Sequence, residues 1–135
     1  KGLTARGNYT YLETEGRFAG NVDLKSGQVA GFVPRAYNIG LLYNYRKLGA
    51  SYDVNYTGRY PTVFSLTAPG GNIYRDKILR MNASVTYKVR PNATAFVSLS
   101  NIEEADTNIY TYIPSRPRTT LIGSRSLKFG VTGQF

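Results

Sequence analysis

Apolar or small residues alternate with polar or small ones along the end of the chain. In an extended strand this sets Leu127, Phe129, Val131, Gly133 and Phe135 on one face, and Ser126, Lys128, Gly130, Thr132 and Gln134 on the other. The same period recurs in five runs upstream. Residues 2–12 set Leu3, Ala5, Gly7, Tyr9 and Tyr11 against Thr4, Arg6, Asn8 and Thr10. Tyr37, Ile39, Leu41, Tyr43 and Tyr45 then alternate with Asn38, Gly40, Leu42, Asn44 and Arg46. In the third run Ala50, Tyr52, Val54 and Tyr56 oppose Ser51, Asp53, Asn55, Thr57 and Arg59. Residues 77–89 carry Leu79, Met81, Ala83, Val85, Tyr87 and Val89 against Arg80, Asn82, Ser84, Thr86 and Lys88. The fifth run, 93–101, turns Ala93, Ala95, Val97 and Leu99 to the apolar side. A strand in a globular protein is usually about 5–6 residues long, whereas these runs extend to about ten to thirteen. A tilted strand that crosses a membrane needs roughly 9 to 11, so length favours a transmembrane barrel.

The connections are alternately long and short. Residues 13–35 are rich in glycine and charge, and within them 18–24 and 28–33 form a candidate short hairpin around Lys25-Ser26-Gly27. The second and third runs meet at a tight turn near Lys47-Leu48-Gly49, expected to pair Tyr43 with Tyr52. Residues 61–76 form a long loop containing the breaker cluster Ala68-Pro69-Gly70-Gly71-Asn72. Arg90-Pro91-Asn92 reads as a three-residue turn with Asn92 left-handed. Residues 102–122 are long again. Transmembrane barrels combine long outer loops with short periplasmic turns. The fold class expected is therefore all-β: an antiparallel, up-and-down transmembrane β-barrel segment of about six strands over residues 1–135, with both chain ends on the side of the short turns.

Composition narrows the chemistry. The 135 residues, 15.0 kDa, contain no cysteine and no histidine, which removes disulfides, thiol chemistry, zinc sites with such ligands and His-based triads. No apolar run approaches the ~18 residues of a membrane helix, a test that barrel strands escape because only half of their residues are apolar. The chain starts at Lys1 without a signal peptide, as expected of a processed protein or a piece of a longer one. The formal charge of +9 suggests an anionic partner without choosing between nucleic acid, ligand and membrane surface.

Taken in order, the sequence resembles the C-terminal part of a TonB-dependent outer-membrane receptor. The resemblance is carried by Asn8-Tyr9-Thr10-Tyr11 at a strand end, Pro34-Arg35 leading into Tyr37-Asn38-Ile39-Gly40, Phe96-Val97-Ser98-Leu99-Ser100-Asn101, and Gly130-Val131-Thr132-Gly133-Gln134-Phe135. It implies a barrel of about 22 strands filled by an N-terminal plug and energised through a short N-terminal box. Neither plug nor box lies in these residues, so TonB would be reached only through the absent N-terminal part. The implied function is import of a scarce solute such as a siderophore, cobalamin or saccharide, with this segment as barrel wall and outer loops. Its implied partners are outer-membrane lipid, the remaining strands and plug of the same receptor, and the barrel-assembly machinery, which would read Phe129, Val131 and Phe135.

Site residues follow from the two faces. Arg6, Asn8, Asn38, Asn44, Asp53, Asn55, Arg59, Arg80, Asn82 and Lys128 are expected to face the lumen, joined by Arg46 and Lys88, with Asp53 almost the only acid. This face either favours anionic solutes or an acidic plug surface, or is simply solvated. Tyrosines of the apolar face are expected near the membrane interfaces, ring buried and hydroxyl wet. Tyr110, Tyr112 and Arg116 are candidate ligand contacts in an outer loop, while Arg17, Lys25, Arg75, Lys77, Arg118 and Arg125 face solvent or lipid head groups. Asn-X-Ser/Thr triplets at Asn8, Asn55, Asn82 and Asn92 reflect strand period more than glycosylation. Glu103, Glu104 and Asp106 lack the spacing of an EF-hand loop. The sequence suggests no enzyme, metal or cofactor. Two alternatives remain: a self-contained barrel of about eight strands, using the hairpin within 18–33, and a soluble basic β-barrel for nucleic acid. Against the latter, tyrosine and arginine alternate onto opposite faces.

Overall fold

The computed structural model describes residues 2–16, 29–65 and 69–133. They form an antiparallel all-β fold, as the alternation predicts. Its main sheet contains six strands: β1 (Gly2–Tyr11), β2 (Arg35–Tyr45), β3 (Leu48–Thr57), β6 (Ile78–Arg90), β7 (Ala93–Ser100) and β10 (Ser126–Gly133), in the order β1-β2-β3-β6-β7-β10. Each strand pairs with the neighbour that follows it in this order, so the sheet is a meander, with β1 and β10 as its edges. No closed barrel forms among the described residues. Of the candidate hairpin at 18–24 and 28–33, residues 17–28 lie outside the described residues, and 29–33 carry no strand.

Two turn expectations are corrected. Tyr43 pairs with Ala50, and Tyr52 with Leu41, because the turn is made by Arg46 and Lys47 alone; Leu48 already belongs to β3. Arg46 has a φ of 53°, the left-handed geometry a tight reversal uses. The shift is even, so every side chain keeps its expected face. At the other turn Pro91 and Asn92 suffice, and Asn92 is not left-handed. The extra residue appears as a β-bulge between Lys88 and Arg90, which adds the local twist that a turn led by proline lacks.

The long connections contain structure the alternation did not reveal. Four short strands, β4 (Tyr60–Val63), β5 (Ile73–Arg75), β8 (Thr107–Thr111) and β9 (Pro117–Leu121), build an upper sheet in the order β4-β5-β8-β9. This order repeats β3-β6-β7-β10, so each upper strand prolongs one of the main strands past a bend. Pro61 and Pro117 lie on the two edge strands, where a missing N–H is tolerated. Tyr110, 2% exposed, is the buried hydrophobic centre of this sheet and stacks on Tyr74 at 5.8 Å. The bends are tied by backbone bonds from Gly58 N–H to the Arg35 carbonyl, Asp76 N–H to Asn108 and Ile102 N–H to Met81. Asn101, the residue after β7, has a φ of 53°. Its side chain accepts from Ala105 N–H at 3.1 Å and donates to the Ser124 carbonyl at 3.3 Å, closing the third loop at its base.

Candidate functional site

The strand register arranges side chains in rows across the main sheet. One face carries Leu3–Tyr43–Ala50–Val85–Val97–Phe129 and Ala5–Leu41–Tyr52–Ala83–Leu99–Leu127, each running from edge to edge. Among the described residues no second layer covers them: Leu3 is 69% exposed, Val85 47% and Phe129 79%. Contiguous apolar rows exposed from edge to edge mark an interaction surface, for a partner or a membrane.

Aromatic residues frame this apolar face. Toward the upper sheet the row Tyr9–Tyr37–Tyr56 carries a stacked pair, Tyr37 and Tyr56, with centroids 4.7 Å apart, and Tyr11 lies beneath the Arg35 guanidinium at 5.9 Å. Toward the turns stand Tyr43, Tyr45 and Tyr87, with Arg46 over Tyr45 at 5.3 Å. Tyr37 and Tyr45 are separated by about 26 Å along β2 at ~3.3 Å per residue, or ~20 Å of height at a tilt of ~40°. Tyr52 lies between the two groups, and its hydroxyl donates to the Met81 sulfur at 3.0 Å.

The opposite face is polar. The row Arg6–Gly40–Asp53–Asn82 holds an ion pair in which Arg6 donates to Asp53 at 3.0 Å across Gly40. A Cβ at Gly40 would stand 2.6 Å from Arg6 Nε and 2.8 Å from Asp53 Oδ1, so glycine there lets the two flexible side chains meet without shifting. The next row is Asn8–Asn38–Asn55–Arg80, and Arg80 reaches Thr107 at 3.5 Å. Asn44 and Lys128 share this face nearer the turns. Of the residues expected on this face, Arg46 belongs to the turn and Arg59 to the bend above β3, where its guanidinium covers Tyr74 at 5.1 Å. Four apolar side chains, Ala36, Leu42, Ile78 and Phe96, also point to the polar side, so its polarity is not uniform.

The three outer-loop candidates separate. Tyr110 is inside the upper sheet and offers a ligand no surface; its burial was hidden because the β8 strand itself was not legible. Tyr112 and Arg116 are exposed at the β8–β9 tip, with Tyr112 at φ 66° and its N–H held by the Asn72 carbonyl at 2.8 Å. Burial raises the phenol pKa of Tyr110 above its ordinary value of 10.0, with the neighbouring Arg59 guanidinium opposing the rise. The acidic loop is structural: Asp106 accepts from Gly123 N–H at 2.8 Å, and Glu104 pairs with Arg125 at 3.5 Å. Phe129 and Val131 are exposed on the apolar face of the edge strand β10, and Phe135 lies outside the described residues. No cluster of metal-ligating side chains occurs among the described residues. No family model, no curated protein and no solved structure matches this chain.

Proposed function

We propose that this chain is the C-terminal wall segment of a TonB-dependent outer-membrane receptor that imports a scarce solute. The observation carrying this reading is the uncovered apolar face framed by two groups of tyrosines, backed by a polar face and ending at two unpaired edges. In water such a sheet lacks a core, and its edges invite pairing. In a bilayer the apolar face meets lipid, the tyrosines lie at the two interfaces, and further strands of the same receptor pair with β1 and β10. The upper sheet then stands outside the membrane as a rigid support for the Tyr112 tip. The wall segment is scaffold and vestibule, and energy coupling enters through the N-terminal part of the receptor.

The test is to recover, from the outer-membrane fraction of the source cell, the native polypeptide that carries this sequence, and to measure its intact mass. The expected product is several times heavier than 15.0 kDa. A product near 15.0 kDa that stays folded in detergent contradicts the receptor and favours a small self-contained barrel.

A further inference from the structure

Alternation fixes the face of each side chain in the main sheet but not the register. A shift of β10 by two residues leaves Leu127, Phe129 and Val131 on the apolar side. The β2–β3 and β6–β7 pairs escape this freedom because two-residue turns join them. No such turn helps β10. Residues 101–125 separate it from β7, its only partner among the described residues, and Gly130 and Gly133 weaken its specification further. The bonds at the base of that loop run from Asn101 to the Ser124 carbonyl, from Arg125 to the Ile102 carbonyl and from Gly123 N–H to Asp106. Each uses a backbone group that any residue supplies.

One contact on the polar face is specific to its residues. Phe96 stands opposite Gly130 and its ring lies over the glycine, where an added Cβ would be 3.0 Å from both Cε1 and Cζ. Gly130 is the one residue of β10 that is not exposed, and Phe96 is itself partly buried. A ring laid on a strand glycine removes apolar surface from water and shields the neighbouring ladder bonds, the means by which an aromatic side chain rescues an edge glycine. A shift of two residues brings Lys128 or Thr132 opposite Phe96 instead, and either side chain takes the space of the ring. We propose that Phe96 and Gly130 form a register lock that holds the edge strand β10 on β7. The lock also fixes where along its free edge β10 offers N–H and C=O groups to a further strand. It concerns the sheet alone and does not rest on the receptor reading.

The experiment uses the full-length folded protein, with any other cysteines removed, and reads register as disulfide yield after brief mild oxidation. Three double variants are compared: Ser98→Cys with Lys128→Cys, opposed in the observed register, and Ser98→Cys with Ser126→Cys and Ser100→Cys with Lys128→Cys, opposed only after a shift of two in one direction or the other. A disulfide needs Cα atoms about 4.4–6.8 Å apart, whereas diagonal neighbours stand roughly 7–8 Å apart. In the parent the 98–128 pair is expected to dominate. Phe96→Ala should lower its yield and raise one of the shifted pairs several-fold, while Phe96→Tyr, which keeps the ring, should behave as the parent. Phe96→Leu, apolar but without a flat ring, gives the same reading if the alanine variant does not fold. An unchanged pattern in Phe96→Ala or Phe96→Leu overturns the lock, whatever the intact mass of the native protein proves to be.

Discussion

Tyr110 shows how one side chain can serve structure where its sequence context suggests binding. It is aromatic, sits in a long connection near Tyr112 and Arg116, and still becomes the centre of the upper sheet. Its hydroxyl has no hydrogen-bond partner of good geometry among the described residues. Replacing it with phenylalanine should therefore cost less than about 1 kcal/mol at neutral pH. The sign of the alkaline effect follows from the raised pKa. The folded state holds the phenolic proton more tightly than the unfolded state, so stability is full below the ordinary value of 10.0 and falls as pH rises toward the folded value. Urea unfolding of Tyr110→Phe should show a shallower alkaline decline than the parent; equal declines would contradict the assignment. Glycines divide in a comparable way. At Gly40 the groups crowding an added Cβ are the ends of flexible side chains. At Gly123 an added Cβ would meet the Ala105 carbonyl oxygen, part of the backbone, with the Asn101 amide close behind. The sequence marks both only as glycines.

For each element of the main sheet, alternation decided almost everything. The period of two placed the side chains of all six strands on their observed faces, because a side chain's face depends only on parity. Register was less legible. It depends on turn geometry, and Arg46 in a left-handed conformation is not a residue that announces a two-residue turn. The upper strands were hidden for a different reason: they are three to five residues long, too short for a period to show, and two contain proline. The assignment of faces makes a direct energetic prediction. Leu99→Arg, in the middle rows of the apolar face, should cost about 2–4 kcal/mol in phospholipid vesicles, while Ser98→Arg on the polar face should cost less than about 1 kcal/mol. Urea titration of the full-length protein measures both, and equal costs would contradict a lipid-facing surface.

At the scale of the whole molecule, the sheet of the described residues has two faces, two edges and no core of its own. Tyr110 and its neighbours make the small buried centre above, while the apolar rows below remain uncovered. The sequence carried this two-faced character fully, but the contacts between strands were less legible. The amide row Asn8–Asn38–Asn55 and the Arg6–Asp53 ion pair emerge only when three strands are in register. In the proposed receptor the apolar face meets lipid and the polar face meets a water-filled lumen. Since this chain contains no cysteine, single cysteines introduced along β6 report on each face in turn. In the full-length protein embedded in vesicles, with any other cysteines removed, a membrane-impermeant maleimide should label cysteines at positions 80, 82, 84 and 86. Positions 79, 81, 83 and 85 should resist it and react with a lipid-soluble maleimide. Strict alternation along the strand is the predicted result; uniform labelling by the impermeant reagent on both faces would contradict the membrane-spanning wall.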